Sequence, residues 1–491
     1  MAVDGTVPPP LDGDVLDTTE AGPMIIRGGI LRGGAYAAGS LLSALSAALV
    51  AQHLGPSEFG RYVTVFSLMS IVAAITDGGL SSLGIREYAQ REGADRDRLM
   101  RVLLGLRTVL SLAGIAGALA FALAAGYSGP LLLGTALAGV GLLLTMAQGA
   151  FAVPLQARLR FGTVAGLELL RQAATVAGLV ALVLAGAGVA PLLGVTVPVG
   201  IVLVAATAWL ARGLVPMRPA WDPVAWRGLM KLTFAFALAA AVGTLYVYTA
   251  QLITSLVADA DQVGYFGVSF RIFLVIAAVP GLVVSVAFPL LARAARDDQV
   301  RLRYALQRLF EVSLVGGSLF AIGTCVGAPF AVKVIGGADY APAAGALRIQ
   351  GAALLFSFLL STWSFALISL HHHRVLVLTN LSAFLASSIL TFALAPGHGA
   401  RGAAIATVVG EAVLAAGCLI ALVRARPDLR PDFGIVPRVV LAAAVAVGVA
   451  VVSGLPALPN ALVAAALYTA GVLVLRAVPE ELLVLVRRRR A

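Results

Sequence analysis

The sequence predicts an all-α polytopic membrane protein with about fourteen transmembrane helices: two six-helix lobes related by a parallel pseudo-repeat, plus two extra C-terminal helices. Three observations predict it. Of the 491 residues, 60% are hydrophobic and only 12% charged, roughly half the charged share of an average globular protein, and the mean hydropathy is +0.97. Apolar runs of spanning length recur to the end of the chain. The Lys and Arg residues fall almost wholly in alternate connections between those runs.

Taken in order, residues 1–26 form a tail in which Asp4, Asp12, Asp14, Asp17 and Glu20 meet no base. It has no basic segment followed by an apolar core and a cleavage site, so it reads as a disordered cytoplasmic tail and not as a signal peptide. The apolar runs follow at 30–53, 61–83, 101–126, 130–153, 163–185, 190–212, 229–256, 264–291, 304–328, 345–370, 374–396, 401–424, 436–454 and 459–477. One side of this array collects Arg86, Arg91, Arg96, Arg98 and Arg101, then Arg293, Arg296, Arg301 and Arg303, then Arg424, Arg426, Arg430 and Arg438. The opposite side holds Arg61, Lys333 and Arg401. Such a split predicts that both termini lie in the cytoplasm and that the number of spans is even.

The lobes are expected at 27–213 and 229–424, with a cytoplasmic linker at 214–228, two appended spans at 434–477 and a basic tail at 478–491. Pro216, Pro219, Pro223, Trp221 and Trp226 make the linker a natural joint, with its tryptophans expected at the membrane interface. A shift of about 204 residues lays Glu58-Phe59-Gly60-Arg61-Tyr62 on Gln262-Val263-Gly264-Tyr265-Phe266. A shift near 203 lays Arg98 on Arg301 and Gly114 on Gly317, and one near 211 lays Gly188 on Gly399 and Thr196 on Thr407. These matches keep register with span number, so spans 1–6 pair with spans 7–12. The tail, with Arg487 to Arg490 behind a short apolar stretch, reads either as an amphipathic helix on anionic headgroups or as a plain positive-inside anchor.

Several functions are disfavoured by composition. The formal charge of +11 comes from topogenic arginines that are not interleaved with aromatics, so no nucleic-acid partner is expected. Cys325 and Cys418 lie within apolar runs and support neither a disulfide framework nor a thiolate metal site. His371, His372 and His373 occupy a tight turn without a neighbouring acid or cysteine, and a polar turn is the expected reading. No phosphate-binding glycine loop with its lysine is present, so no cofactor or internal nucleotide motor is expected. The largest outer connection, about 328–344, is too short for a folded catalytic domain, which argues against a glycosyltransferase or polymerase.

Charge within a span is costly and marks candidate sites: Asp77, Arg107, Glu168, Arg171, Arg271, Arg308, Glu311, Arg348 and Glu411. Arg107 and Arg308 lie near inner helix ends, where their heads can snorkel to the interface. Glu168–Arg171 and Arg308–Glu311 are spaced to neutralise each other. Arg271 has no acid three or four residues away, and Gly264, Gly267 and Ala278 share its helical face, which suits close packing or a cavity. Glu411 and Asp77 could carry a coupling proton or cation, or pair with Arg271 across the lobes; Asp77 beside Gly78-Gly79 also fits a helix-end cap.

The stretch 54–93 carries a resemblance. Its Gly-Pro-x-x-Phe-Gly-x-Tyr turn (Gly55, Pro56, Phe59, Gly60, Tyr62) is followed one span later by Asp-x-Gly-Leu (Asp77, Gly79, Leu80) and by Arg86-Glu87. This pattern resembles the polysaccharide-biosynthesis and O-antigen-type flippases of the MOP exporter superfamily, with MATE drug exporters as distant relatives. The resemblance implies rocking lobes that alternate in access and carry a lipid-linked oligosaccharide, a monomer among membrane lipids and glycan synthesis enzymes. Diphosphate contacts are then expected at Arg271, Arg61 and Arg348, and coupling at Glu411 and Asp77. The rival is a MATE-like, cation-coupled multidrug exporter, for which an acidic, aromatic cavity is expected.

Overall fold

The computed structural model describes residues 21–158, 160–214, 218–282, 284, 291, 293–294 and 298–477. Most of the acidic tail (1–20) and all of the basic tail (478–491) lie outside the described residues. Every regular element among the described residues is helical.

Among the described residues, eleven helices are long and apolar enough to cross a membrane. Two of them are hairpins. Ala21–Asp77 breaks at Gly55, where φ is 72°, and His373–Ala425 breaks at Gly399, where φ is 53°. A residue with a Cβ would be strained in either conformation, and Pro56 then opens the returning helix without needing an amide donor. Chain reversal is visible in the contacts. Ser43 and Phe66, on opposite sides of Gly55, both touch Arg271, and Thr379 lies 3.6 Å from Cys418 across the Gly399 turn. The spans are therefore 1 (21–54), 2 (56–77), 3 (Gly93–Ala124), 4 (Gly129–Ala157), 5 (Phe161–Leu184), 6 (Val189–Leu210), 7 (Pro223–Val257) and 8 (Ala260–Leu282). They continue as 9 (Gln299–Gly336), 10 (Ala343–Ser369), 11 (373–398), 12 (400–425), 13 (Val436–Val452) and 14 (Ala457–Val474). Span 13 has 17 residues, near the lower limit for crossing a bilayer.

The connection between spans 9 and 10 is shorter than the expected 328–344. The helix of span 9 runs on to Gly336, so the connection reduces to 337–342 with a single 3-10 turn at Ala338–Tyr340.

Spans 1–6 form an N-lobe and spans 7–12 a C-lobe, and two features display their relationship. Gly60 on span 2 and Gly264 on span 8, which the shift of 204 superposes, lie against each other. A Cβ on Gly60 would stand 2.4 Å from the Ala260 carbonyl oxygen, and one on Gly264 would stand 2.0 Å from that of Pro56. Only two glycines let the equivalent helices cross this closely. Each lobe also docks its exit connection on its own third helix. After span 6, the Ala220 amide donates to the Arg101 carbonyl at 2.9 Å and the Trp226 indole to the Val102 carbonyl at 3.0 Å. After span 12, the Asp432 amide donates to Gln307 Oε1 at 2.8 Å, and Gln307 Nε2 donates back to the Asp432 carbonyl at 3.1 Å.

This docking corrects the reading of the linker. Trp226 is buried against span 3 instead of sitting at an interface, whereas Trp221 remains 74% exposed. Asp222 caps span 7 by accepting from the Ala225 amide at 3.0 Å and also takes Arg98 at 3.0 Å. These two donors, the backbone first, hold its carboxyl below the usual carboxylate range. Spans 13 and 14 pack on span 9, where the buried Tyr468 hydroxyl donates to the Val315 carbonyl at 3.0 Å.

Candidate functional site

Between the lobes lies a cavity of about 270 Å³. Span 1 lines it with Ser43 and Ser46, span 2 with Phe59, Tyr62 and Phe66, span 5 with Arg171, Gln172 and Thr175, and span 8 with Gly267 and Arg271. Small residues create the geometry. Gly267 lets span 8 approach Val63, which would lie 2.9 Å from an added Cβ, and Arg271 emerges one turn further on. Its Nη2 donates to Ser43 Oγ at 2.9 Å, and its guanidinium carbon lies 5.2 Å from the centre of the Phe66 ring. Both partners are neutral, so the cation keeps its full charge for whatever occupies the cavity. On its other flank, Arg271 borders an apolar hollow of about 240 Å³ formed with Ala44, Ile272, Phe330 and Val334. One guanidinium thus stands at the junction of a polar and an apolar space. A wider bowl of about 750 Å³ around Gln262, His398 and Arg401 opens among helix ends of the C-lobe, away from Arg271.

The cavity is closed on the arginine-poor side by contacts between the lobes. Tyr340, fully buried, donates from its hydroxyl to the Ala51 carbonyl at 3.1 Å, with its ring edge-on to Phe59 and Tyr265. Burial, and then the nearby Asp339, holds this phenol above its ordinary range, so it stays a donor. Gln52 Nε2 donates to the Val334 carbonyl at 2.9 Å, and the Gly60–Gly264 crossing completes the seal.

The other candidates occupy separate places. Arg61 pairs with Glu58 at the exposed start of span 2, and Arg348 is exposed on span 10, so neither joins Arg271 in the cavity. Arg271 reaches neither Asp77 nor Glu411. Asp77 Oδ1 instead accepts from Arg107 Nη2 at 2.9 Å and from Ser81 Oγ at 2.5 Å. Arg107 therefore does not snorkel: its side chain is 1% exposed, and Gly149 leaves the room its Nη1 occupies, 3.0 Å from where a Cβ would be. The turn at Gly79 receives no side-chain cap, so Asp77 serves the arginine and not the helix end. Glu411, 8% exposed within the C-lobe, accepts from Tyr246 on span 7 at 2.8 Å and from Ser357 on span 10 at 2.7 Å. Arg308 pairs with Glu311 at 2.7 Å, as its spacing predicts.

Sequence reasoning missed the polar lining around Arg271. The signal was present: Ser43 and Ser46, and Arg171, Gln172 and Thr175, recur at helical spacing within otherwise apolar runs.

This architecture, among the described residues two lobes of six membrane spans enclosing a cavity and followed by two more, defines a polytopic α-helical membrane protein. The chain belongs to the family described as polysaccharide biosynthesis protein, whose sequence model matches residues 49–345. No curated protein sequence matches it. Among solved structures, the chain is similar to the lipid II flippase MurJ in an inward closed conformation, with TM-score 0.75 and 15% identity over 90% of this chain and 98% of that one. It is similar to an inward-facing multidrug resistance MATE family transporter, with TM-score 0.64 and 14% identity over 79% of this chain and 95% of that one. A MOP superfamily transporter from Pyrococcus furiosus, described as having a binding pocket of reversed polarity, matches with TM-score 0.53 and 16% identity over 83% and 96% of the two chains.

Proposed function

We propose that this protein is a flippase that moves a polyprenyl-diphosphate-linked oligosaccharide from the inner to the outer leaflet of a bacterial plasma membrane. The observation that carries the reading is Arg271, a cation without an acidic partner among the described residues, set between a polar cavity and an apolar hollow. A lipid-linked glycan has the same order of parts: sugar, diphosphate, isoprenoid. Family membership supports the polysaccharide context. A MATE-like exporter of cationic drugs would need acidic groups in the cavity, whereas among the described residues its charged lining is Arg171 and Arg271. The direct test is reconstitution in vesicles with a fluorescent polyprenyl-diphosphate glycan. Transfer between leaflets is expected, with no gain in drug resistance on overexpression; resistance without transfer would favour the exporter.

In this reading the arginine-rich side faces the cytoplasm with both termini, and the lobes rock to open the cavity to each side in turn. In a background with Cys325→Ala and Cys418→Ala, Asp261→Cys and Gly397→Cys should react with an impermeant thiol reagent in intact cells, and Arg430→Cys should not. Labelling at position 430 would reverse the orientation.

Glu411 is the coupling residue of this proposal, because both carboxyl oxygens already accept from hydroxyls and no base reaches it among the described residues. Its charge changes when it binds a proton or a small cation, and spans 7, 10 and 12 feel the change together. Glu411→Gln should fold and bind substrate but translocate without dependence on an imposed proton or sodium gradient. A variant with the dependence of the parent would remove Glu411 from the mechanism.

A further inference from the structure

Arg171 faces the same cavity as Arg271, but from the opposite lobe: Arg171 is on span 5 and Arg271 on span 8. The two are held differently. Arg271 rests on neutral Ser43 and Phe66, whereas Arg171 is bound by Glu168 one turn back on its own helix, through Nη2 to Oε1 and through Nε to Oε2 at 2.9 Å. Among the described residues Glu168 does not line the cavity, and neither side chain of the pair is enclosed by protein, with 44% and 55% of their surfaces uncovered. The pair is a contact within one helix, and among the described residues no side chain of another span holds it, so an anion that enters the cavity competes with Glu168 for the guanidinium.

Resting on the flippase reading above, we propose that Arg171 is the residue that distinguishes a diphosphate from a monophosphate, and that Glu168 is a counter-ion which the second phosphoryl group displaces. A diphosphate linking a lipid to a sugar carries negative charge on each phosphoryl group. Arg271 takes one, and Arg171 turns from Glu168 to take the other, so the ligand ties span 5 to span 8 across the lobes. A monophosphate engages Arg271 alone and leaves the Glu168–Arg171 pair intact. Gln172, whose amide lies 3.4 Å from Glu168 Oε1, is placed to accompany the carboxylate once it is released. The sequence spacing that pairs Glu168 with Arg171 thus serves to keep a cation neutralised until substrate arrives.

The test compares binding of farnesyl diphosphate and farnesyl monophosphate to the full chain in detergent, with a melting curve to confirm that each variant is folded. Arg171→Ala should weaken the diphosphate by about tenfold or more, the scale of one charged hydrogen-bonding group, and leave the monophosphate within about twofold. Glu168→Gln, which removes the competing carboxylate, should strengthen the diphosphate several-fold. The double variant Glu168→Gln/Arg171→Ala should bind as weakly as Arg171→Ala alone. If the double variant instead binds like the parent, Arg171 serves only to neutralise Glu168 and the inference fails. It also fails, without harm to the flippase reading, if Arg271→Ala loses the diphosphate while Arg171→Ala does not. Absence of binding of either probe by the unaltered protein would overturn both.

Discussion

Arg271→Ala is expected to reduce glycan export by about two orders of magnitude while expression and membrane insertion stay at the level of the parent. An arginine within the membrane costs about 2.5–3.5 kcal/mol on insertion scales, and here a serine hydroxyl and an aromatic face offset only part of that. Removing it therefore relieves a cost in the empty protein and takes away an anion ligand in the loaded one. That combination separates a binding cation from a structural one. A guanidinium that held the lobes together through an acid would, when deleted, lower stability together with transport. Arg271→Lys keeps the charge but not the two parallel donors that fit a phosphate, so it should retain part of the activity. The measurement is surface glycan in a strain carrying only the variant, alongside the melting temperature of the purified protein. Export at the parental rate by Arg271→Ala would remove this residue from the site.

Much of this geometry was legible in the chain, and the reason is that the bilayer dictates it. Helical spans follow from the demand that every backbone group in lipid be satisfied, the alternating arginines from the retention of cations on one side, and the tight turns at Gly55 and Gly399 from the left-handed backbone that glycine tolerates. The repeat was legible in the 204-residue shift because Gly60 and Gly264 are constrained by one another: each backbone occupies the place where the other's Cβ would be. Arg271 stood out because helical spacing denied it a local acid. What the sequence did not disclose were partnerships between spans. Nothing in the spacing of Asp77 and Arg107, thirty positions apart, indicates that spans 2 and 3 bring them within 2.9 Å. Nor does local pattern indicate that Trp226 caps a helix groove and not a membrane surface, since an interfacial and a buried tryptophan both sit beside prolines and basic residues. Arg171 was legible as half of a pair but not as a cavity residue, because facing is set by how span 5 rotates against spans 1 and 2.

The second large effect is expected at Asp77, and its sign differs from that at Arg271. Asp77→Ala would leave the Arg107 guanidinium, 1% exposed, with only Ser81 Oγ at 2.6 Å and the Met146 carbonyl at 3.4 Å for company. Deleting one partner of a buried ion pair costs about 3–5 kcal/mol, because the other charge stays in a medium that cannot solvate it. The lower end applies here, since Asp77 itself is 32% exposed and Ser81 remains as an acceptor. The damage should be local before it is global. Gly78 and Gly79 follow Asp77 with φ of 46° and 78°, and the pair fastens this bend of span 2 to span 3, so its loss should loosen Leu80–Gln90 first. Asp77→Asn keeps an acceptor oxygen and should cost less. The decisive variant is Asp77→Ala/Arg107→Met, which exchanges the pair for apolar volume and should recover most of the lost stability. Melting temperatures in detergent give the stabilities, and hydrogen exchange over residues 80–90 gives their location. Recovery of stability together with transport would assign Asp77 and Arg107 to the scaffold; recovery of stability with transport still absent would assign one of them to the transport cycle.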